Sequence, residues 1–122
     1  MSFIKKIAFA LTMAVAALTV VGCGTSGTTT DTSGATIIDV RTAAEFAAGH
    51  LQGAVNIDVQ SADFATKIAS LPKDGTYIVY CQSGARASSA QSQMKAAGFT
   101  NVTSAGGIAA ASKSTGLPIV TS

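Results

Sequence analysis

The sequence has no tryptophan, one histidine and two cysteines, and only 11% of its residues are charged. One histidine and two cysteines do not make the Cys/His ligand set of a structural zinc site. The chain also has no C-x-x-C pair, which argues against a dithiol–disulfide exchange enzyme. Eight basic residues stand against six acidic ones, but Lys5 and Lys6 lie at the start of an apolar leader, so the remainder carries six of each. A neutral chain without a basic cluster is not typical of nucleic-acid binding, and we expect no such partner.

The N-terminal segment has the features of an export signal. Lys5 and Lys6 precede a largely apolar run over residues 7–21. This arrangement is the pattern of a secretory signal peptide, and the run is shorter than the roughly 18 to 20 residues that span a bilayer. The sequence VVGC at residues 20–23 resembles a bacterial lipobox, which implies cleavage before Cys23 and acylation of that residue. An ordinary signal peptide and a single-pass anchor are the alternatives.

The segment that follows Cys23 is of low complexity. Residues 24–35 read GTSGTTTDTSGA and contain no large apolar side chain, so we predict a flexible tether. The chain then divides into a signal peptide (1–22), a lipidation site with its tether (23–35) and one folded domain (36–122). We expect an exported protein of the cell envelope, anchored to the membrane by an N-terminal lipid on its periplasmic or outer face.

Strand and helix patterns alternate through the folded part. Apolar and β-branched runs at residues 35–40, 54–57, 75–81 and, more weakly, 101–104 predict strands. The run at 75–81 is apolar on both faces, as a central parallel strand is. Alternation of strands with helical patterns predicts an α/β domain, with a small, mostly parallel sheet of about four or five strands and helices on both faces.

Three helical patterns lie between these strands. The first covers residues 42–48, where Thr42 and Glu45 have the spacing of a capping box. The second begins at 61 or 63 and ends before Pro72. The third follows the cysteine loop and ends at Gly98. Two apolar faces are predicted, and their residues are Phe64, Ile68 and Leu71 in the second helix and Ala90, Met94 and Ala97 in the third.

Cys81 stands at the end of the central predicted strand and opens the loop CQSGAR, residues 81–86. In open α/β sheets the chemistry lies beyond the carboxyl ends of the strands. Short residues let the loop turn its backbone N–H groups inward, and the helix that follows adds the positive end of its dipole. Together with Arg86 these groups would favour a nucleophilic thiolate. The alternative is a small buried apolar side chain.

Three blocks of the sequence resemble rhodanese domains. IIDVRTAAEFAAGHLQGAVNI resembles their opening block, VYCQSGARAS their active-site loop and AAGFTNVTSAGGI their final block, and the likeness covers about residues 36–118. The short, exported form is most similar to the small periplasmic rhodaneses grouped with phage-shock proteins. The resemblance implies a three-layer rhodanese fold and a sulfurtransferase that moves sulfane sulfur from thiosulfate or a persulfide to cyanide or a thiol. It implies no metal and no cofactor, small-molecule donors and acceptors, and a monomer.

The resemblance also implies roles for the residues of the loop. Cys81 matches the cysteine that carries the persulfide. The outer sulfur would be cradled by the backbone amides of the residues after it, which are Gln82, Ser83, Gly84, Ala85 and Arg86. The side chain of Arg86 would steer an anionic donor or stabilise the loop.

Four polar residues of the opening block are candidates for structural roles beside the site. Asp39 and Arg41 match the family's DVR pair, and either they hold the loop through a salt bridge or Arg41 contacts substrate at the mouth of the site. Glu45 is interpreted as a structural acid in the first turn of a helix. His50 is considered as a general base, but its position between secondary elements favours a structural role.

Two departures and two alternative functions accompany the resemblance. Rhodanese domains usually have an extra strand and helix before the DVR block and a tryptophan after the final glycine pair, so we expect a minimal sheet and a last helix that is poorly packed or differently placed.

Cys-loop phosphatases and arsenate reductases have five residues between cysteine and arginine, whereas four separate Cys81 from Arg86. A non-catalytic sulfur carrier or binding module of the same fold is the stronger alternative.

Overall fold

A computed structural model describes residues 31–121. The strands are β1 (Ala35–Asp39), β2 (His50–Leu51), β3 (Val55–Asn56), β4 (Thr76–Cys81), β5 (Asn101–Gly107) and β6 (Ile119–Val120). The helices are α1 (Ala43–Ala48), α2 (Phe64–Ala69), α3 (Ala85–Ala96) and α4 (Ile108–Thr115). The predicted signal peptide, the predicted lipidation site at Cys23 and residues 24–30 of the predicted tether lie outside the described residues. Within residues 31–121, no helix combines the length and apolarity needed to cross a membrane.

Four strands form a parallel sheet in the order β3-β1-β4-β5. This arrangement confirms the predicted α/β class and all four predicted strands, with β5 continuing three residues beyond its predicted end. A second, two-stranded sheet pairs β2 antiparallel with β6. This small sheet was not predicted, because each of its strands has only two residues and its partner lies far away in the sequence.

The central strand β4 separates two apolar cores. Tyr77, Val79 and Cys81 face the core that contains the buried side chains of α2 and α3. Ile78 and Tyr80 face the opposite core, which includes Ile108 and Ala111 of α4. Successive side chains of a strand point to opposite faces, so a run that is apolar at every position fits a strand covered on both sides.

The predicted helix signals are largely confirmed. Thr42 and Glu45 form a complete capping box at the start of α1. In α2, Phe64 and Ile68 are buried and Leu71 packs beside them, as predicted.

The predicted apolar face of α3 was wrong at one position. Ala97 is exposed because the helix ends at Ala96, and the buried positions are Ala87, Ala90 and Met94. The predicted stop at Gly98 is confirmed, since its φ of +103° is a conformation that side chains other than glycine rarely adopt.

The last helix is packed without a tryptophan. Ile108, Ala111 and Thr115 of α4 are buried, and the Thr115 hydroxyl donates a hydrogen bond to the Ala111 carbonyl at 2.6 Å. Of the two outcomes expected for this helix, poor packing is therefore wrong, because three of its eight residues are buried without a tryptophan.

Candidate active site

Cys81 ends β4 at the N-terminus of α3, and its side chain is fully buried. Its Sγ accepts hydrogen bonds from the Gly84 N–H at 2.9 Å and the Ala87 N–H at 3.3 Å. Gly84 has a φ of +111°, and this left-handed conformation turns the chain sharply enough for its amide to point back at the sulfur. Two amides therefore point at the sulfur, that of Gly84 in the turn and that of Ala87 in the first turn of the helix.

The hydrogen-bond donors around the sulfur come from the start of a helix. The amides that donate to Sγ belong to the positive end of a twelve-residue helix. Of the five amides predicted to line the cradle, only that of Gly84 donates to Sγ within the described residues, and Ala87 was missed. Gln82, Ser83 and Ala85 are exposed around the sulfur. The amides of Gln82, Ser83, Ala85 and Arg86 remain predicted contacts of a second, outer sulfur atom.

A buried ion pair supports the loop from β1. The Arg41 Nε and Nη2 donate to the Asp39 Oδ1 and Oδ2 at 2.9 and 2.7 Å, and Arg41 is only 4% exposed. Hydrogen bonding to Asp39 raises the pKa of Arg41 although burial acts in the opposite direction. Its Nη1 also donates to the Gln82 Oε1 at 2.9 Å. This geometry favours a role for Arg41 in holding the loop rather than in contacting substrate. The Gln82 side chain ties the loop to Arg41, a contact that the sequence did not predict.

Arg86 is engaged by Glu45. Its Nη1 and Nη2 donate to the Glu45 Oε1 and Oε2 at 2.8 and 3.0 Å, and the two side chains are 24% and 33% exposed. Hydrogen bonding from Arg86, followed by that from Thr42, lowers the pKa of Glu45 from 4.5 to about 2. The hydrogen bonds to Glu45 also raise the pKa of Arg86, and the nearby Cys81 sulfur adds to this increase. Glu45 is thus more than a first-turn acid, because it joins α1 to the start of α3.

The lowered pKa of Glu45 predicts an acid-dependent loss of stability. A group whose pKa is depressed in the folded state stabilises it above the unfolded pKa and loses that contribution as the pH falls towards the folded pKa. We therefore expect wild type to be more stable than Glu45→Gln above pH 5, and the difference to shrink between pH 4.5 and about 2. The prediction is tested by measuring the urea unfolding midpoints of both proteins across this pH range. A difference that stays constant down to pH 2.5 would contradict the assignment.

The cysteine loop rests on the glycine pair that joins β5 to α4. A Cβ atom added to Gly107 would lie 2.5 Å from the Gln82 carbonyl oxygen and 3.3 Å from the Ser83 Cα. A Cβ atom added to Gly84 would lie 3.5 Å from the Gly106 Cα. Sequence reasoning found this pair as a motif but gave it no role, because the contact joins segments that are distant along the chain.

Gly107→Ala is expected to displace the loop. The backbone at Gly107 is extended and accepts alanine, so the effect comes from the collision with Gln82. We expect kcat/KM for sulfur transfer to fall roughly 10- to 100-fold, because a displacement of about 1 Å has effects of this size. Gly53→Ala is the control, since Gly53 has a φ of +84° but open space around it. That variant should lose stability and keep its activity per folded molecule. Equal activity in both variants would contradict the contact.

Two other buried polar groups have structural partners. The His50 Nδ1 lies 2.8 Å from the Phe46 carbonyl oxygen, and its ring stacks on that of Phe46 at 3.7 Å. The structural interpretation of His50 agrees with these contacts. The Tyr80 hydroxyl accepts the Leu51 N–H at 2.9 Å, and burial raises the pKa of Tyr80, which stays protonated.

The described residues hold no cluster of three or more His, Cys, Asp or Glu side chains that could bind a metal ion. Cys81 is a free cysteine. The arrangement is therefore a buried cysteine sulfur that accepts hydrogen bonds from two backbone amides, beside two guanidinium groups that are each paired with a carboxylate. Such a site can accept and release an atom or small group at the sulfur without acid–base catalysis by a side chain.

Comparison with known proteins identifies the family. Residues 27–113 match the rhodanese-like domain family. The thiosulfate sulfurtransferase PspE of Escherichia coli is 34% identical over 71 residues, which cover 58% of this chain and 68% of that protein. A sulfurtransferase of Allochromatium vinosum is 34% identical over 91 residues, or 74% of this chain and 82% of that protein.

A solved structure agrees with this assignment. The structure of a rhodanese with anions from E. coli superposes with a TM-score of 0.60 at 31% identity, and the match covers 72% of this chain and 99% of that one. The family match includes the cysteine loop, the DVR pair and the glycine pair described above. The chain therefore belongs to the rhodanese-like domain family.

Proposed function

We propose that the protein moves sulfane sulfur from thiosulfate or a persulfide to a thiophilic acceptor, such as cyanide or a thiol, through a persulfide on Cys81. The protein is a sulfurtransferase, as its family and its curated relatives indicate. The observation that carries the mechanism is the placement of the Cys81 Sγ 2.9 and 3.3 Å from two backbone N–H donors at the N-terminus of α3.

The reaction has two displacements at sulfur. The Cys81 thiolate attacks the outer sulfur of thiosulfate, the S–S bond breaks, and sulfite leaves with the bonding electron pair. The persulfide carries its negative charge on the new outer sulfur, which the backbone amides of the loop would hold. Cyanide then attacks this outer sulfur, thiocyanate leaves, and the thiolate is restored. Neither step needs a proton donor, so the reaction requires neither His50 nor a cofactor.

The test is sulfur loading followed by turnover. The protein, expressed from its full-length sequence and purified in mild detergent, is incubated with thiosulfate and examined by intact mass, and thiocyanate is then measured after cyanide is added. We expect a mass gain of one sulfur atom and its loss with formation of thiocyanate. A loaded protein that turns over only once would identify a sulfur carrier. A folded protein that neither gains sulfur nor forms thiocyanate would overturn the proposal.

We also propose that the protein is exported and held at the cell envelope by a lipid on Cys23. The support is the sequence: two lysines, a short apolar run, the VVGC tetrapeptide and a Gly/Ser/Thr-rich tether follow one another in the order that such an anchor needs. Intact mass of protein extracted from membranes should show an N-terminus at Cys23 that carries acyl chains. A mature chain that begins elsewhere without lipid would overturn this part.

A further inference from the structure

The charged side chains beside the cysteine loop carry no excess of positive charge, and Asp58 adds a carboxylate whose charge acts on Arg86. Arg41 is bound to Asp39, and Arg86 is bound to Glu45. The exposed side chains of the loop itself, Gln82, Ser83 and Ala85, are neutral. A doubly charged donor that approaches this mouth therefore finds no excess positive charge on these residues.

Glu45 is held in place from two sides. Its Oε1 accepts hydrogen bonds from the Thr42 backbone N–H and the Thr42 hydroxyl, each at 3.1 Å. Both carboxylate oxygens also bind the fork of Arg86, the geometry in which guanidinium recognises an anion most strongly. Since the carboxylate occupies this fork, an anionic donor would have to displace an anchored side chain.

We propose that Glu45 determines donor specificity by neutralising Arg86, so that the site prefers singly charged sulfane-sulfur donors, such as alkyl persulfides and thiosulfonates, to the thiosulfate dianion. This inference rests on the proposed sulfur transfer and identifies its donor class. With Arg86 unpaired, the attraction of a guanidinium for a second negative charge would favour the dianion. At a partly exposed site this is worth about a fivefold change in relative kcat/KM.

Thiosulfate and methanethiosulfonate make a matched pair of donors. They are similar in shape, and a methyl group in one replaces a charged oxygen in the other. With either donor the Cys81 thiolate bonds to the outer sulfur and the S–S bond breaks. Sulfite leaves in the first case and methanesulfinate in the second, each with the bonding electron pair and without a proton. Both reactions give the same persulfide, so any difference arises before or during the first displacement.

The experiment compares kcat/KM for the two donors in the full-length protein and in Glu45→Gln. Glutamine can keep the capping box, because its side-chain oxygen can still accept from Thr42, and it removes the charge together with one of the two oxygens that accept from Arg86. We expect the ratio of thiosulfate to methanethiosulfonate kcat/KM to rise about fivefold, mainly through a lower KM for thiosulfate. Because the new attraction is between charges, the gain should decrease as salt is raised.

Two further variants separate this role from a structural one. Asp63→Asn removes the same charge from an exposed site at the start of α2 and should leave the ratio unchanged. Glu45→Gln combined with Arg86→Gln should lose the gain, because the gain needs the unpaired guanidinium. A ratio in Glu45→Gln that equals that of Asp63→Asn, with normal Cys81-dependent turnover, would overturn the inference alone. Absence of turnover in the wild-type protein would instead overturn the proposed function.

Discussion

Cys81→Ser is expected to abolish thiocyanate formation from thiosulfate and cyanide, with a loss on the order of 10⁴-fold or more, as when an enzyme loses its nucleophile. A serine hydroxyl is a weak nucleophile without an adjacent base, and it cannot carry sulfur as a persulfide. The assay is the steady-state rate of thiocyanate formation, together with the intact mass after incubation with thiosulfate. Neither product nor mass gain is expected in the variant.

The fold of this variant should remain. Serine is close to cysteine in size, and its hydroxyl can accept the hydrogen bonds that the Gly84 and Ala87 N–H groups now donate to sulfur. A thermal midpoint close to that of wild type would show that the loss is chemical. Turnover that survives in a folded Cys81→Ser protein would remove Cys81 from the mechanism.

Asp39→Ala is expected to cause the largest loss of stability. Asp39 is fully buried and accepts hydrogen bonds from the Arg41 side chain and from the Arg41 backbone N–H. Its removal leaves a guanidinium buried beside the sheet with no carboxylate, which costs about 3–5 kcal/mol in comparable buried pairs. Small domains have a total stability of only about 5–15 kcal/mol, so a large part of it would be lost. Urea unfolding followed by circular dichroism measures the change.

Lys67→Ala is the matched control for that measurement. Lys67 forms an ion pair with Asp63 at 4.0 Å, but both side chains are more than half exposed. Exposed pairs contribute about 0–1 kcal/mol, so the unfolding midpoint should hardly move. Equal losses in Asp39→Ala and Lys67→Ala would mean that the buried pair does not support the sheet end and the loop.

Several parts of the site could be predicted from the sequence because they depend on neighbours along the chain. The capping box joins residues three positions apart, and Asp39 and Arg41 are two apart. The strand that ends at Cys81, and the loop and helix after it, follow from an apolar run, a glycine and short residues. Local hydrogen bonding and side-chain periodicity decide such features, and both can be read from sequence.

The contacts that shape the loop depend on the tertiary structure. Arg41 contacts Gln82 and Glu45 contacts Arg86 across 41 residues in each case, and Gly107 lies close to the Gln82 backbone, 25 residues away in the sequence. Sequence reasoning therefore interpreted Glu45 as a helix acid only, and it left open whether Arg41 and Arg86 contact substrate.

The sequence by itself determined the alternation of elements, the local caps and the position of the reactive cysteine at the end of its strand. The tertiary structure decided which charges are paired and which glycine lets the loop pack closely. The physical reason is the parallel sheet, which brings the carboxyl ends of β1, β4 and β5 to one edge. Residues that follow different strands come into contact at this edge. The sequence within a few residues of either partner does not predict such a contact.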